Sequence, residues 1–192
     1  MKIVHTPDEI LHKIAEPVGK IDKKTKELIT QMVIILNRQR DPEGVGLAAP
    51  QVGVSKQIFL VKPETKSKPQ VFINAKIIKS SKYHVASSKN KSLKTQKTKN
   101  QTLRTKKKKK VTLEGCLSIP RIWGEVKRPE RVLVSWKDEN NLTHKQWFDG
   151  FEAVVIQHEM DHLKGILFTH HVLEQKQILY REENGELVEF EI

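Results

Sequence analysis

The sequence predicts an α+β fold in which antiparallel strands and hairpins pack around one late helix. Three observations carry this reading. Residues 131–137 and 143–148 alternate apolar and polar side chains on either side of Asp138-Glu139-Asn140-Asn141, as a hairpin does. Near the end of the chain, Glu183-Asn184-Gly185 separates 177–181 from 187–192, and Asn-Gly is the strongest short hairpin signal. Between the two hairpins, residues 149–163 read as a helix. Asp149 can cap it with Glu152 three residues on, and Phe151, Val154, Val155, Ile156 and Leu163 make much of its surface apolar. Gly165 is a natural stop.

The earlier elements follow in order. His5-Thr6-Pro7-Asp8 forms a turn, 9–15 a helical turn, and Pro17 and Gly19 end it. Residues 25–40 form a helix with Leu28, Ile29, Met32, Val33 and Leu36 on one side, stopping before Asp41-Pro42. That stripe is core packing. Residues 44–53 form a loop of small apolar residues that holds one polar side chain, Gln51. Its glycines permit close backbone approach by a ligand, and the lone amide could donate to an oxyanion. Residues 57–62 and 71–78 read as strands. From 79 to 110 the chain is mostly Ser, Thr, Asn, Gln and Lys, and it cannot bury enough apolar area to order itself. We read 79–110 as an insertion into a single domain spanning 1–192, and a contact with RNA phosphates is its functional alternative.

Charge is local. The net charge is +12, but 79–110 alone holds 13 Lys and Arg and no acid, so the rest of the chain is near neutral at −1. No apolar run approaches the ~18 residues a membrane span needs. The opening residues lack the apolar core of a signal peptide, so a cytoplasmic chain with no membrane partner is expected. Cys116 is the one cysteine, which excludes an internal disulfide and leaves a small buried hydrophobe, a ligand or a nucleophile.

The chemistry is concentrated in the late helix. Residues 157–162 read Q-H-E-M-D-H, so His158 and His162 project from one face four residues apart. Two imidazoles at that spacing can grip one metal ion, with Glu159 beside it. A mostly buried helix carrying two His and two acids is costly unless those groups have partners, and a metal supplies one. The late helix is therefore a candidate metal-binding helix.

Three separated motifs, GVGLAAPQ at 44–51, EGCLS at 114–118 and QHEMDHL at 157–163, together with HTPD at 5–8 and EPV at 16–18, resemble the peptide deformylases. The resemblance spans the chain except 79–110. It implies a hydrolase that removes the N-formyl group from the initiator methionine of newly made polypeptides and releases formate. It implies Cys116, His158 and His162 as metal ligands with a fourth position open, the catalytic rather than the structural arrangement. Softness at such a site favours Zn or Fe(II). The resemblance implies Fe2+, with Zn2+, Ni2+ or Co2+ as substitutes.

A thiolate ligand offsets part of the metal's charge, so Glu159 is expected to compensate by taking the water's proton and delivering it to the leaving amine. The resemblance places the Gln51 amide and the Leu117 backbone N–H at the oxyanion. It gives Gly46 the approach of the peptide backbone, and Val154 and Val155 the methionine pocket. Glu114 and Arg128 are expected to brace the Cys116 loop.

The expected partners are N-formylmethionyl nascent peptides, with a ribosome or RNA contact through 79–110. Two other enzymes fit parts of the pattern. An H-E-x-x-H metallopeptidase would take its third ligand downstream, whereas Cys116 lies upstream. A Cys116–His158 thiol hydrolase would need no metal. An RNA-binding protein that no longer catalyses is the non-enzymatic alternative.

Overall fold

The computed structural model describes residues 1–40, 43–62, 67–81 and 112–190. Nearly all of the expected insertion and the Asp41-Pro42 stop therefore lie outside the described residues.

A short 3-10 turn, Glu9–His12, is capped by Asp8, whose carboxylate accepts from the Ile10 N–H. Helix α1 (Lys23–Arg38) begins two residues earlier than the apolar stripe suggests. Asp22 caps it by accepting from the Thr25 N–H at 2.9 Å. The loop expected at 44–53 contains strand β1 (Gly46–Ala48) and a 3-10 turn, Ala49–Val52. Strands β2 (Ile58–Val61) and β3 (Gln70–Ser80) follow. β3 runs on to Ser80, so the first two residues of the expected insertion belong to a strand.

Beyond the undescribed stretch, β4 (Thr112–Cys116) and β5 (Ile119–Val126) form a hairpin that periodicity did not announce. β6 (Arg131–Lys137) and β7 (Thr143–Asp149) are the expected ribbon. Helix α2 (Gly150–His162) is the late helix. Asp149 stands at its N-cap, but its side chain makes no capping bond, so the expected capping box does not form. Gly165, at φ +71°, turns the chain where an added Cβ would meet the His12 carbonyl. Helix α3 (Phe168–Glu174) was not expected. The tail is the expected Asn-Gly ribbon, β8 (Leu179–Glu183) with β9 (Glu186–Phe190).

The described strands form two antiparallel sheets, ordered β1-β2-β3-β6-β7 and β4-β5-β8-β9. Residues 82–111 thus connect one sheet to the other. Alternation along β2 explains the first sheet. Ile58 and Leu60 pack with Ile29, Met32 and Leu36 of α1, whereas Phe59 and Val61 pack with Ala153, Ile156 and Met160 of α2. Both faces of β2 are covered, so its sequence IFLV is continuously apolar. Each fully buried side chain of this size contributes about 1.5–3 kcal/mol. Under the second sheet, Val126, Leu179 and Cys116 pack with Phe168 and Val172 of α3. Helix α2 packs on the first sheet, and its His158 and His162 meet the end of β4.

Candidate metal centre and substrate cavity

Cys116 ends β4. The ladder pairs Gly115 with Trp123 but Cys116 with Ile119, an irregularity that re-aims the side chain at α2. There Cys116 Sγ lies 3.3 Å from His162 Nε2. One ligand atom from each of Cys116, His158 and His162 falls within 4.8 Å of the others. His158 Nδ1 is held by Glu114 Oε2 at 2.9 Å, which leaves Nε2 for the cluster. Burial opposes a thiolate, but His162 and His158 outweigh it and hold the Cys116 thiol well below its ordinary value.

The residues fit a divalent ion. A thiolate and two imidazole nitrogens at this separation are the donor set of a borderline-soft cation, with one position left open. Glu159 Oε2 and His162 Nδ1 are buried without a protein partner among the described residues, and an ion with its water would give the carboxylate one.

Glu114 is anchored from behind. Arg128 donates to it from Nε and Nη2 and to Asp161 Oδ2 from Nη1 at 2.8 Å. Asp161 Oδ2 also faces His171 Nε2 at 2.8 Å. The Arg128 and Glu114 side chains are 6% and 4% exposed, so this is an interior network. Burial raises the Glu114 carboxyl, but hydrogen bonds from His158 and Arg128 prevail and bring it down to about 2.

Gln51 is buried. Its Oε1 accepts from the Ala48 N–H at 2.8 Å, and its Nε2 lies 3.4 Å from Cys116 Sγ and 3.3 Å from Ser118 Oγ. Gly46 has no room for a side chain, because an added Cβ would overlap the Glu159 carboxylate. Glu159 is itself buried, and desolvation raises its carboxyl to about 7.

These groups open into a cavity of about 240 Å3. Gly46, Gln51, Leu117, Val154 and Val155 all line it, beside Cys116, His158 and Glu159. Every expected site residue except His162 and Arg128 thus lines the cavity; His162 reaches the centre through Cys116, and Arg128 stands behind Glu114. Several neighbours were not anticipated. Ser118 donates its N–H to Cys116 Sγ at 3.4 Å, Asp161 and His171 extend the ion network, and Trp123, Leu113 and Phe151 form walls. Ser118 and Asp161 lay inside motifs already singled out and Phe151 on the late helix, whereas Leu113 and Trp123 follow from the unrecognised β4–β5 hairpin.

Fold and site define a metal-dependent hydrolase, with a buried carboxylate beside a three-donor centre. Comparison with known proteins gives the family. The polypeptide deformylase family model matches residues 1–177. Peptide deformylase 1 of Burkholderia multivorans is 36% identical over 178 residues, covering 92% of this chain and 83% of its own. A peptide deformylase of Borreliella burgdorferi is 34% identical over 168 residues, covering 88% and 85%. The crystal structure of a Legionella pneumophila peptide deformylase superposes with a TM-score of 0.69 at 32% identity, covering 88% and 84%. That from Thermotoga maritima gives 0.68 at 30%, covering 88% and 95%. This chain belongs to the polypeptide deformylase family.

Proposed function

We propose that this chain deformylates N-formylmethionyl nascent peptides at the Cys116–His158–His162 centre. The observation that carries the reading is the three-donor cluster beside buried Glu159 on the wall of an apolar cavity. Cys116, His158 and His162 would hold the ion. When bound, it supplies Lewis acidity and a water made nucleophilic near neutral pH.

The chain's own groups do the rest. Glu159 takes the water's proton as the water oxygen adds to the formyl carbon. The Gln51 amide and the Leu117 N–H donate to the charge growing on the formyl oxygen. The C–N bond then breaks, Glu159 returns the proton to the amine, and formate and a free N-terminus leave. Gly46 lies on β1, the edge of its sheet, so a peptide can add alongside as a further strand. Val154 and Val155 supply apolar wall for the methionine side chain.

The finer assignments are part of the same proposal. Fe2+ is the physiological ion, supported by the resemblance and by the sulfur-bearing donor set, and Zn2+, Ni2+ and Co2+ can substitute. The whole of 1–192 is one catalytic domain interrupted at 79–110. The insertion contacts ribosome or RNA, supported by its 13 cationic residues. The chain works in the cytoplasm without a membrane partner. No helix among the described residues is long and apolar enough to cross a membrane.

Protein purified without oxygen should release formate from formyl-Met-Ala and carry one ion per chain. A chelator should abolish the activity and added Fe2+ restore it. Activity indifferent to chelation would favour the thiol hydrolase, and cleavage of an unblocked peptide the metallopeptidase. Gly46→Ala tests the crowding at Glu159. Misplacing a reacting group by ~1 Å can cost about a hundredfold. We expect a loss of that order in kcat with the metal content unchanged, and a wild-type kcat would show that Glu159 tolerates the shift.

A further inference from the structure

The geometry points to a second surface on this protein, one that binds the phosphate backbone of structured RNA. It is the open face of β3, β6 and β7, away from α2. Strand pairing fixes which side chains share it. Lys79 pairs with Leu133 and Leu133 with Trp147, forming one row. Lys76, Ser135 and Lys145 form the next, and Lys137 lies across from Thr143. Arg131 and Asp149 close the face. Val132, Val134 and Trp136 point the other way, into the core with α2.

Helix α1 packs on the near part of this side, against Val71 and Ile73. Lys76, Lys79, Lys145 and Trp147 remain exposed beyond it. The face therefore carries four lysines and an arginine against one acid. Asp149 lies 3.9 Å from Arg131, while none of the four lysines has a carboxylate within 4.0 Å among the described residues. Four unneutralised cations on one rigid sheet fit a polyanion. Trp147, a large aromatic left 42% exposed, has the Arg131 guanidinium 5.2 Å from its ring centre. An aromatic with a stacked guanidinium among lysines is what bases and phosphates use together.

None of these residues lines the catalytic cavity, so the face can be occupied while substrate is bound. The choice of RNA rests on the proposed function, because newly made peptides emerge from a machine built of RNA.

The test uses the full chain. Binding of a fluorescein-labelled RNA stem-loop is followed by anisotropy at several salt concentrations. Three proteins are compared: wild type, a face variant (Lys76→Glu, Lys145→Glu, Trp147→Ala), and a variant with the five lysines at 106–110 changed to Gln. Loss of one stacked aromatic alone costs about fivefold or more. The face variant should therefore bind at least about tenfold more weakly, and the slope of log K against log salt should fall by about one per lysine removed. Its formate release should match wild type, which shows that it is folded.

A face variant with wild-type affinity and slope overturns the proposal, and if the 106–110 variant alone loses binding, RNA contact belongs to the insertion. A face variant that keeps RNA but no longer binds phosphatidylserine vesicles also overturns it, in favour of a membrane surface. Absence of formate release from the wild type would count against the proposed function and leave the RNA measurement intact.

Discussion

Glu159→Gln is expected to lower kcat for formate release by roughly 10²–10⁴-fold, the usual contribution of a positioned acid–base group, while metal content stays at one ion per chain. The carboxylate is buried, Oε2 has no protein partner among the described residues, and Gly46 leaves it only the space it occupies. Desolvation raises its carboxyl to about 7, close to where a proton-transfer group works best. A divalent cation nearby would draw that value down, because it favours the charged form.

The pH dependence follows with a definite sign. Only ionised Glu159 can take a proton, so wild-type activity should fall as pH drops through its pKa in the loaded enzyme. Glutamine cannot titrate, and the residual activity of the variant should lose that acidic limb. Rates and metal content measured across pH check both points. Loss of the ion together with activity would recast Glu159 as a ligand, and a near-normal kcat would remove it from proton transfer.

The sequence shows some parts of this protein because their signal is local. H-E-x-x-H needs only helical spacing, and 157–162 is helical. The Asn184-Gly185 ribbon needs two residues at positive φ, and the turn has them at +53° and +84°. The β6–β7 alternation survives because one face meets α2 and the other meets solvent. Other parts are set by tertiary contacts that spacing does not encode. The β4–β5 hairpin was hidden because its glycines and Pro120 break the alternation, and Gly115 is small because the Trp123 ring packs where its Cβ would stand. Helix α3 has only seven residues, too few for a period to show. The Asp149 cap failed because Gly150, at φ +56°, begins the helix in a left-handed turn. Within the site, the Glu114–Arg128 pair was expected alongside the family resemblance and not from spacing, because the two stand 14 residues apart across the hidden hairpin. That Asp161 and His171 complete the same network depends on how α3 folds back.

Arg128→Met should give the largest loss of stability. Arg128 donates to Glu114 and Asp161, and all three side chains are almost wholly buried. Removing the cation leaves buried Glu114 without its charge partner and Asp161 with only the exposed Lys164, 3.2 Å away, and breaking a buried pair in this way costs about 3–5 kcal/mol. Denaturant unfolding should show that loss at neutral pH.

The sign with pH is also fixed. Glu114 ionises at about 2 in the folded wild type against an ordinary 4.5. Its stabilisation is fully present above 4.5 and is lost as pH falls towards 2. In the variant, burial with one counter-charge removed pushes the same carboxyl up, so acid relieves the penalty, and the two stability curves should converge as pH falls. The triple variant with Glu114→Gln and Asp161→Asn should recover much of the neutral-pH stability, because no buried charge is then left unpaired. It should still bind the ion about 10–100-fold more weakly, because His158 has lost the carboxylate that orients it. Full recovery of metal affinity in the triple variant would show that the network serves folding alone.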